Sequence, residues 1–165
     1  MYTGYAAFDG PFVIRYPRGK GEMKDWRNEM QVLPIGKGKK LCDGDVIAVL
    51  SIGPIGNEVI KAIEMVKEEG VSIAHYDMIY LKPLDEELLH EIGQKYNRII
   101  TVENGVIKGG FGSAVLEFMA DNGYTPHVKR IGVPDAFIEH GSIPELYQLC
   151  GMDAESIAKQ LKKEN

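Results

Sequence analysis

VIAVLSIGPIGNEVIKAIEMVKEEG, residues 46–70, decides the fold. Its first eight residues are apolar without alternation, and a strand that is apolar at every position is one covered on both faces, as in a parallel sheet. The period then changes. Pro54 suits the first turn of a helix, where its missing N–H goes unused, and Ile55, Val59, Ile60, Ile63 and Val66 recur on one face until Gly70 stops the run. A doubly covered strand feeding an amphipathic helix is the first half of a strand–helix–strand crossover.

Downstream the unit repeats. VSIAHYDMIYL (71–81) supplies a second strand and its exit; Pro83 and Asp85 start a helix with Leu84, Leu88, Leu89 and Ile92 on its inner stripe. Asn97 precedes the strand RIITVE (98–103), a helix over 111–121 buries Val115, Phe118 and Met119, and HVKRIGV (127–133) is a further strand. Ser142 and Glu145 form a capping box ahead of Leu146 and Leu149, and Asp153 caps a last helix carrying Ile157, Ala158 and Leu161. Upstream, LPIGKGKKLCDGD suggests an edge strand at 38–42 and a turn at Asp43-Gly44. The class is therefore α/β: three layers, with a mostly parallel sheet of about five strands and an antiparallel edge strand.

The compact domain is expected over 32–165. Before it lie a polar linker, 19–31, with Trp26, and an opening strand at 12–16. Tyr2, Tyr5, Ala6, Ala7 and Phe8 read like the last turn of a helix cut from a longer chain.

With 165 residues, 44% hydrophobic and 26% charged, the chain can bury a core without metal or disulfide. A formal net charge of −5 with scattered basic residues argues against nucleic acid, which needs a coherent basic face. No apolar run reaches the ~20 residues of a membrane span. Cys42 and Cys150, without CxxC spacing, read as reduced thiols. A cytoplasmic protein without a membrane partner is expected.

The motifs that could carry chemistry are few. ENGVIKGGFGSA (103–114) sits between strand and helix, where backbone N–H groups can bind an anion, but Val115 stands where a dinucleotide fingerprint needs its third glycine. Glycines 109, 110 and 112 are expected to serve a tight turn and close helix packing; a nucleotide or phosphate at this loop is the alternative. The histidines 75, 90, 127 and 140 are far apart, no HExxH occurs, and no metal site is expected. His140 stands out because PDAFIEHGS follows the carboxyl end of a strand, where open sheets bind ligands. No serine occupies a GxSxG elbow. In PFVIRYPRGKG (11–21), Arg15 and Arg18 flank a Tyr-Pro corner, either as solvated ion-pairing groups or as an anion receptor.

GPFVIRYPRGKG, LPIGKGK, KPLDEELL, ITVENGVIKGGFGSAV and IGVPDAFIEHGS, in this order and covering nearly the whole chain, resemble the C-terminal part of the 1-deoxy-D-xylulose-5-phosphate synthase family, in the transketolase-like, thiamine-diphosphate-dependent group. The RYPRG and PDAFIEHG segments favour this family over transketolase itself or the β subunit of 2-oxo acid dehydrogenases; Asn104-Gly105 departs from the Glu-Asn common in relatives. The resemblance implies a transketolase C-terminal-like fold over 32–165, residues 1–18 as the tail of a preceding pyrimidine-binding domain, and 19–31 as its linker. It implies a transferase that condenses pyruvate with glyceraldehyde 3-phosphate, releasing CO2, for isoprenoid and thiamine synthesis. Thiamine diphosphate and Mg2+ would be held by domains outside this chain, leaving no cofactor and no catalytic residue within it. Arg18 would contact the substrate phosphate, with Arg15 and His140 as minor candidates. The expected partners are the rest of the synthase chain and a second copy in a homodimer. The alternative is a non-catalytic module of a split transketolase or of a 2-oxo acid dehydrogenase β-type enzyme.

Overall fold

The structure is a computed structural model that describes residues 1–17, 21 and 27–162. It divides into two units, 1–35 and 36–165.

In the first unit a five-residue helix, α1 (Tyr2–Ala6), is followed by irregular chain. The Leu33 N–H donates to Thr3 Oγ1 at 3.0 Å, and the Phe8 and Phe12 rings meet edge to face at 5.5 Å. Residues 12–16 do not form the expected strand. A strand requires a neighbour to complete its N–H···O ladder, and among the described residues this segment pairs with none, leaving Val13 93% exposed.

The second unit contains β1 (Lys39–Cys42), β2 (Ile47–Ile52), α2 (Gly56–Val66), β3 (Ile73–Asp77), α3 (Glu86–Lys95), β4 (Arg98–Val106), α4 (Phe111–Asp121), β5 (His127–Val133), α5 (Ile143–Leu149) and α6 (Ala154–Lys162). The sheet order is β1-β3-β2-β4-β5; β2 runs parallel to β3 and β4, β4 parallel to β5, and β1 antiparallel to β3. From β2 the chain crosses to β3 on one side, then doubles back over β2 to β4 and on to β5. Right-handed crossovers in opposite directions place their helices on opposite faces, and the cores agree. Ile47 and Val49 pack with Val59, Ala62 and Val66 of α2 and with Ile157 and Leu161 of α6. Ala48 and Leu50 pack with Leu89 and Ile92 of α3 and with Val115 and Met119 of α4.

Local chemistry sets the boundaries. The Asp85 carboxylate caps α3 through the Leu88 N–H at 3.2 Å, Ser142 and Glu145 close the capping box of α5, and Asp153 accepts the Ser156 N–H at 2.9 Å at the start of α6. Helix α2 starts at Gly56 rather than at Pro54, because the Gly53, Pro54 and Ile55 carbonyls form a tight turn that takes the next N–H groups at 3.0 Å. Ile60, expected on its inner face, is 46% exposed, and Ala62 occupies the packed position. Strand β4 runs past Glu103 to Val106 through an irregular register with β5. Among the described residues no helix is long and apolar enough to cross a membrane.

Leu50 is fully buried between layers, so Leu50→Ala is expected to lower the unfolding free energy by about 2–5 kcal/mol, whereas Ile60→Ala should change it by less than about 0.5 kcal/mol. Urea denaturation of the two variants measures the contrast.

Candidate functional site

Two buried polar groups organise the carboxyl half of the sheet. The first is Glu103, near the end of β4 and 5% exposed. Its carboxylate accepts the Phe111 N–H at 2.9 Å and the Gly112 N–H at 2.8 Å, the unpaired donors in the first turn of α4. The chain therefore fills its own anion position: a carboxylate against two backbone donors and the positive end of the helix dipole. Glycine is required here for space. A Cβ on Gly110 would lie 2.2 Å from Glu103 Oε2 and 2.5 Å from the Val106 carbonyl oxygen, and one on Gly112 would lie 2.5 Å from Thr101 Oγ1. Gly109 has φ 70°, a left-handed conformation that L side chains rarely adopt. The loop is a packing device, as its glycines suggested, and Glu103 occupies the place a phosphate would need.

Sequence reasoning passed over Glu103, although an acid ending a strand seven residues before a Gly-rich helix start was visible. Beside it, the Asn104 side-chain amide donates to Tyr147 Oη at 3.3 Å, tying the β4 bulge to α5.

The second group is the pair Ser51–His75, on adjacent strands, with Oγ and Nε2 2.8 Å apart. A serine hydroxyl beside an imidazole could be a nucleophile and its base. Burial removes that role: Ser51 is 0% and His75 1% exposed, and Gly56 closes over the hydroxyl. Burial also pushes the His75 pKa from 6.5 down to about 4.

Behind His75 lies an apolar cleft of about 530 Å³ between β1, β3 and α2, walled by Leu41, Ile60, Ile63, Val71 and Ile73. Its rim charges pair with near neighbours, Asp43 with Lys40 and Glu64 with Lys67. Cys42 lines it, its thiol pKa raised by burial and its Sγ donating to the Ile73 carbonyl at 3.4 Å.

The residues proposed from sequence are not brought together. Arg18 lies outside the described residues. Arg15 is exposed in the first unit, and His140 is exposed in the loop between β5 and α5 of the second. Among the described residues no three His, Cys, Asp or Glu side chains converge as metal ligands. With Glu103 seated on α4, the Gly-rich loop does not fit a cofactor diphosphate either.

A doubly wound sheet with an antiparallel edge strand and a carboxylate-capped Gly-rich loop defines the class. The family model described as "Transketolase, C-terminal domain" matches residues 36–157, and the chain belongs to that family. Across all 165 residues it is 98% identical to a 1-deoxy-D-xylulose-5-phosphate synthase of Parabacteroides distasonis, and it is 59% identical over 165 residues to the synthase of Bacteroides thetaiotaomicron. It spans 26% of the length of each of these relatives. Among solved structures it is similar to a chain described as "Split gene transketolase, inactive beta4 tetramer", with a TM-score of 0.71 and 29% identity over 80% of this chain and 42% of that one.

The depressed His75 pKa links stability to pH. The unfolded chain binds this proton near pH 6.5 and the folded chain only near pH 4, so between these values the unfolded state holds more protons. Stability is complete above about pH 7 and falls as the pH drops through this window, by about 2 kcal/mol between pH 7.5 and pH 5. Urea midpoints across this range test the slope, and an imidazole resonance of His75 that titrates near its ordinary value in the folded protein would refute it.

Proposed function

We propose that this chain is the C-terminal domain of a 1-deoxy-D-xylulose-5-phosphate synthase, contributing scaffold and dimer contacts and one phosphate-contacting arginine, Arg18, to the conversion of pyruvate and glyceraldehyde 3-phosphate to 1-deoxy-D-xylulose 5-phosphate and CO2. The observation that carries this reading is the 98% identity along the full 165 residues. Thiamine diphosphate and Mg2+ supply the carbon–carbon chemistry from outside this chain. Residues 1–18 end the preceding pyrimidine-binding domain, 19–31 form the linker, and 32–165 form the C-terminal domain. The site of action is cytoplasmic.

Arg18 suits its role by chemistry. A guanidinium keeps its charge at any working pH and offers a planar fork of donors to phosphate oxygens, and Pro17 and Gly19 on either side set the turn that carries it. Arg15 and His140 are assigned minor positions at most. The similar split-gene chain, described as an inactive tetramer, supports a module that self-associates without catalysis.

Two measurements test this. The 165-residue chain supplied with thiamine diphosphate, Mg2+, pyruvate and glyceraldehyde 3-phosphate is expected to show no turnover, and robust product formation by it alone would refute the assignment. In the longer synthase chain, Arg18→Ala should raise KM for glyceraldehyde 3-phosphate at least tenfold, equivalent to ~1.4 kcal/mol, with little change for pyruvate. Equal losses for both substrates would make Arg18 structural.

A further inference from the structure

The two ends of the parallel strands differ in chemistry. At the amino ends the chain turns through Asp43-Gly44-Asp45, Gly70-Val71-Ser72, Asn97 and Thr125-Pro126, where the exposed large aliphatic side chain is Val46. At the carboxyl ends, large apolar side chains face solvent after β3, β4 and β5: Ile79 and Leu81, then Val106, then Phe137 and Ile143. Leu81 is 50% exposed and Phe137 completely so. A contiguous row of this kind marks an interaction surface, whereas single exposed apolar residues carry no such meaning.

Backbone strain falls on the same edge. Ile79 has φ 54°, a left-handed conformation that is an outlier for a β-branched residue. It is held there by its N–H, which donates to Asp77 Oδ1 at 3.1 Å, and its side chain is left exposed. Strain at an exposed apolar residue gains nothing within this unit and points to use by another surface. The Lys108–Asp135 pair, 3.1 Å apart, balances charge along the edge, and among the described residues no metal-ligating cluster lies there.

The point of chain entry says what covers this edge. Lys39 pairs with Asp77 at the carboxyl end of β3, the Gly38 N–H donates to Asp85 Oδ2 at 2.9 Å, and a Cβ on Gly36 would lie 2.8 Å from Pro83. Polypeptide arriving at Gly36 therefore joins beside Ile79 and Leu81. In relatives nearly three-quarters of the length lies outside the matched stretch, and that mass is tethered to this edge at high effective concentration.

We propose that the carboxyl edge of the sheet, centred on Ile79, Leu81 and Phe137, is the face on which the remainder of the longer synthase chain packs, through an apolar surface of low charge. This rests on the reading that the chain works as part of such a synthase. Hydrogen exchange read by mass spectrometry, on the longer chain and on the 165-residue chain, tests it. Peptides over 78–83 and 134–143 should exchange at least tenfold more slowly in the longer chain, while peptides over 43–46 and 95–98 at the opposite edge keep the same rates. The double variant Leu81→Ser, Phe137→Ser should restore fast exchange in the longer chain without shifting the melting temperature of the short one. Equal rates in both chains overturn the proposal. So does protection in the short chain that grows with its concentration, which would assign the face to a second copy. A synthase assay on the same longer chain separates the two readings: edge protection without product formation sinks the function and leaves the docking face standing.

Discussion

Strand β2 is the constraint on which the rest depends. Ile47, Ala48, Val49 and Leu50 are each fully buried, two toward α2 and α6 and two toward α3 and α4. One strand thus nucleates two cores, and burial of its larger side chains contributes about 1.5–3 kcal/mol each. Because the strand order reverses around β2, neither helical layer can form without it. The buried Ser51–His75 bond pins β2 to β3 at a depth where an unpaired hydroxyl or imidazole would be costly.

The Gly-rich loop shows how a ligand-like geometry can be satisfied internally. A turn that aims backbone donors past a strand end would suit an external anion, yet here Glu103 supplies the negative charge from one strand away. The close contacts at Gly110 and Gly112 follow, since the carboxylate occupies the space a side chain would need. This domain stabilises its own carboxyl edge with the groups that many open sheets direct at a substrate.

That self-sufficiency shifts functional meaning from pocket to surface. The cleft behind His75 has paired charges at its rim, whereas the carboxyl edge combines exposed apolar side chains, strain at Ile79 and the point of chain entry. A domain of this kind acts by holding and orienting neighbouring polypeptide, and Arg18, on the chain leading into it, is the group through which it would reach a substrate.

By itself, the sequence determined the period of every element from Lys39 onward. Apolar runs, caps at Asp85, Ser142 and Asp153, and the glycine stops are local signals, because they depend on residues within one or two turns. The same locality misled at residues 12–16, where a strand-like pattern finds no partner among the described residues, and at Ile60, where a helical stripe is wider than the face actually covered. Only the tertiary structure decided that Glu103 caps α4 and that Ser51 meets His75. Both contacts join separate elements whose spacing is set by strand register and crossover direction, and no local pattern encodes those distances.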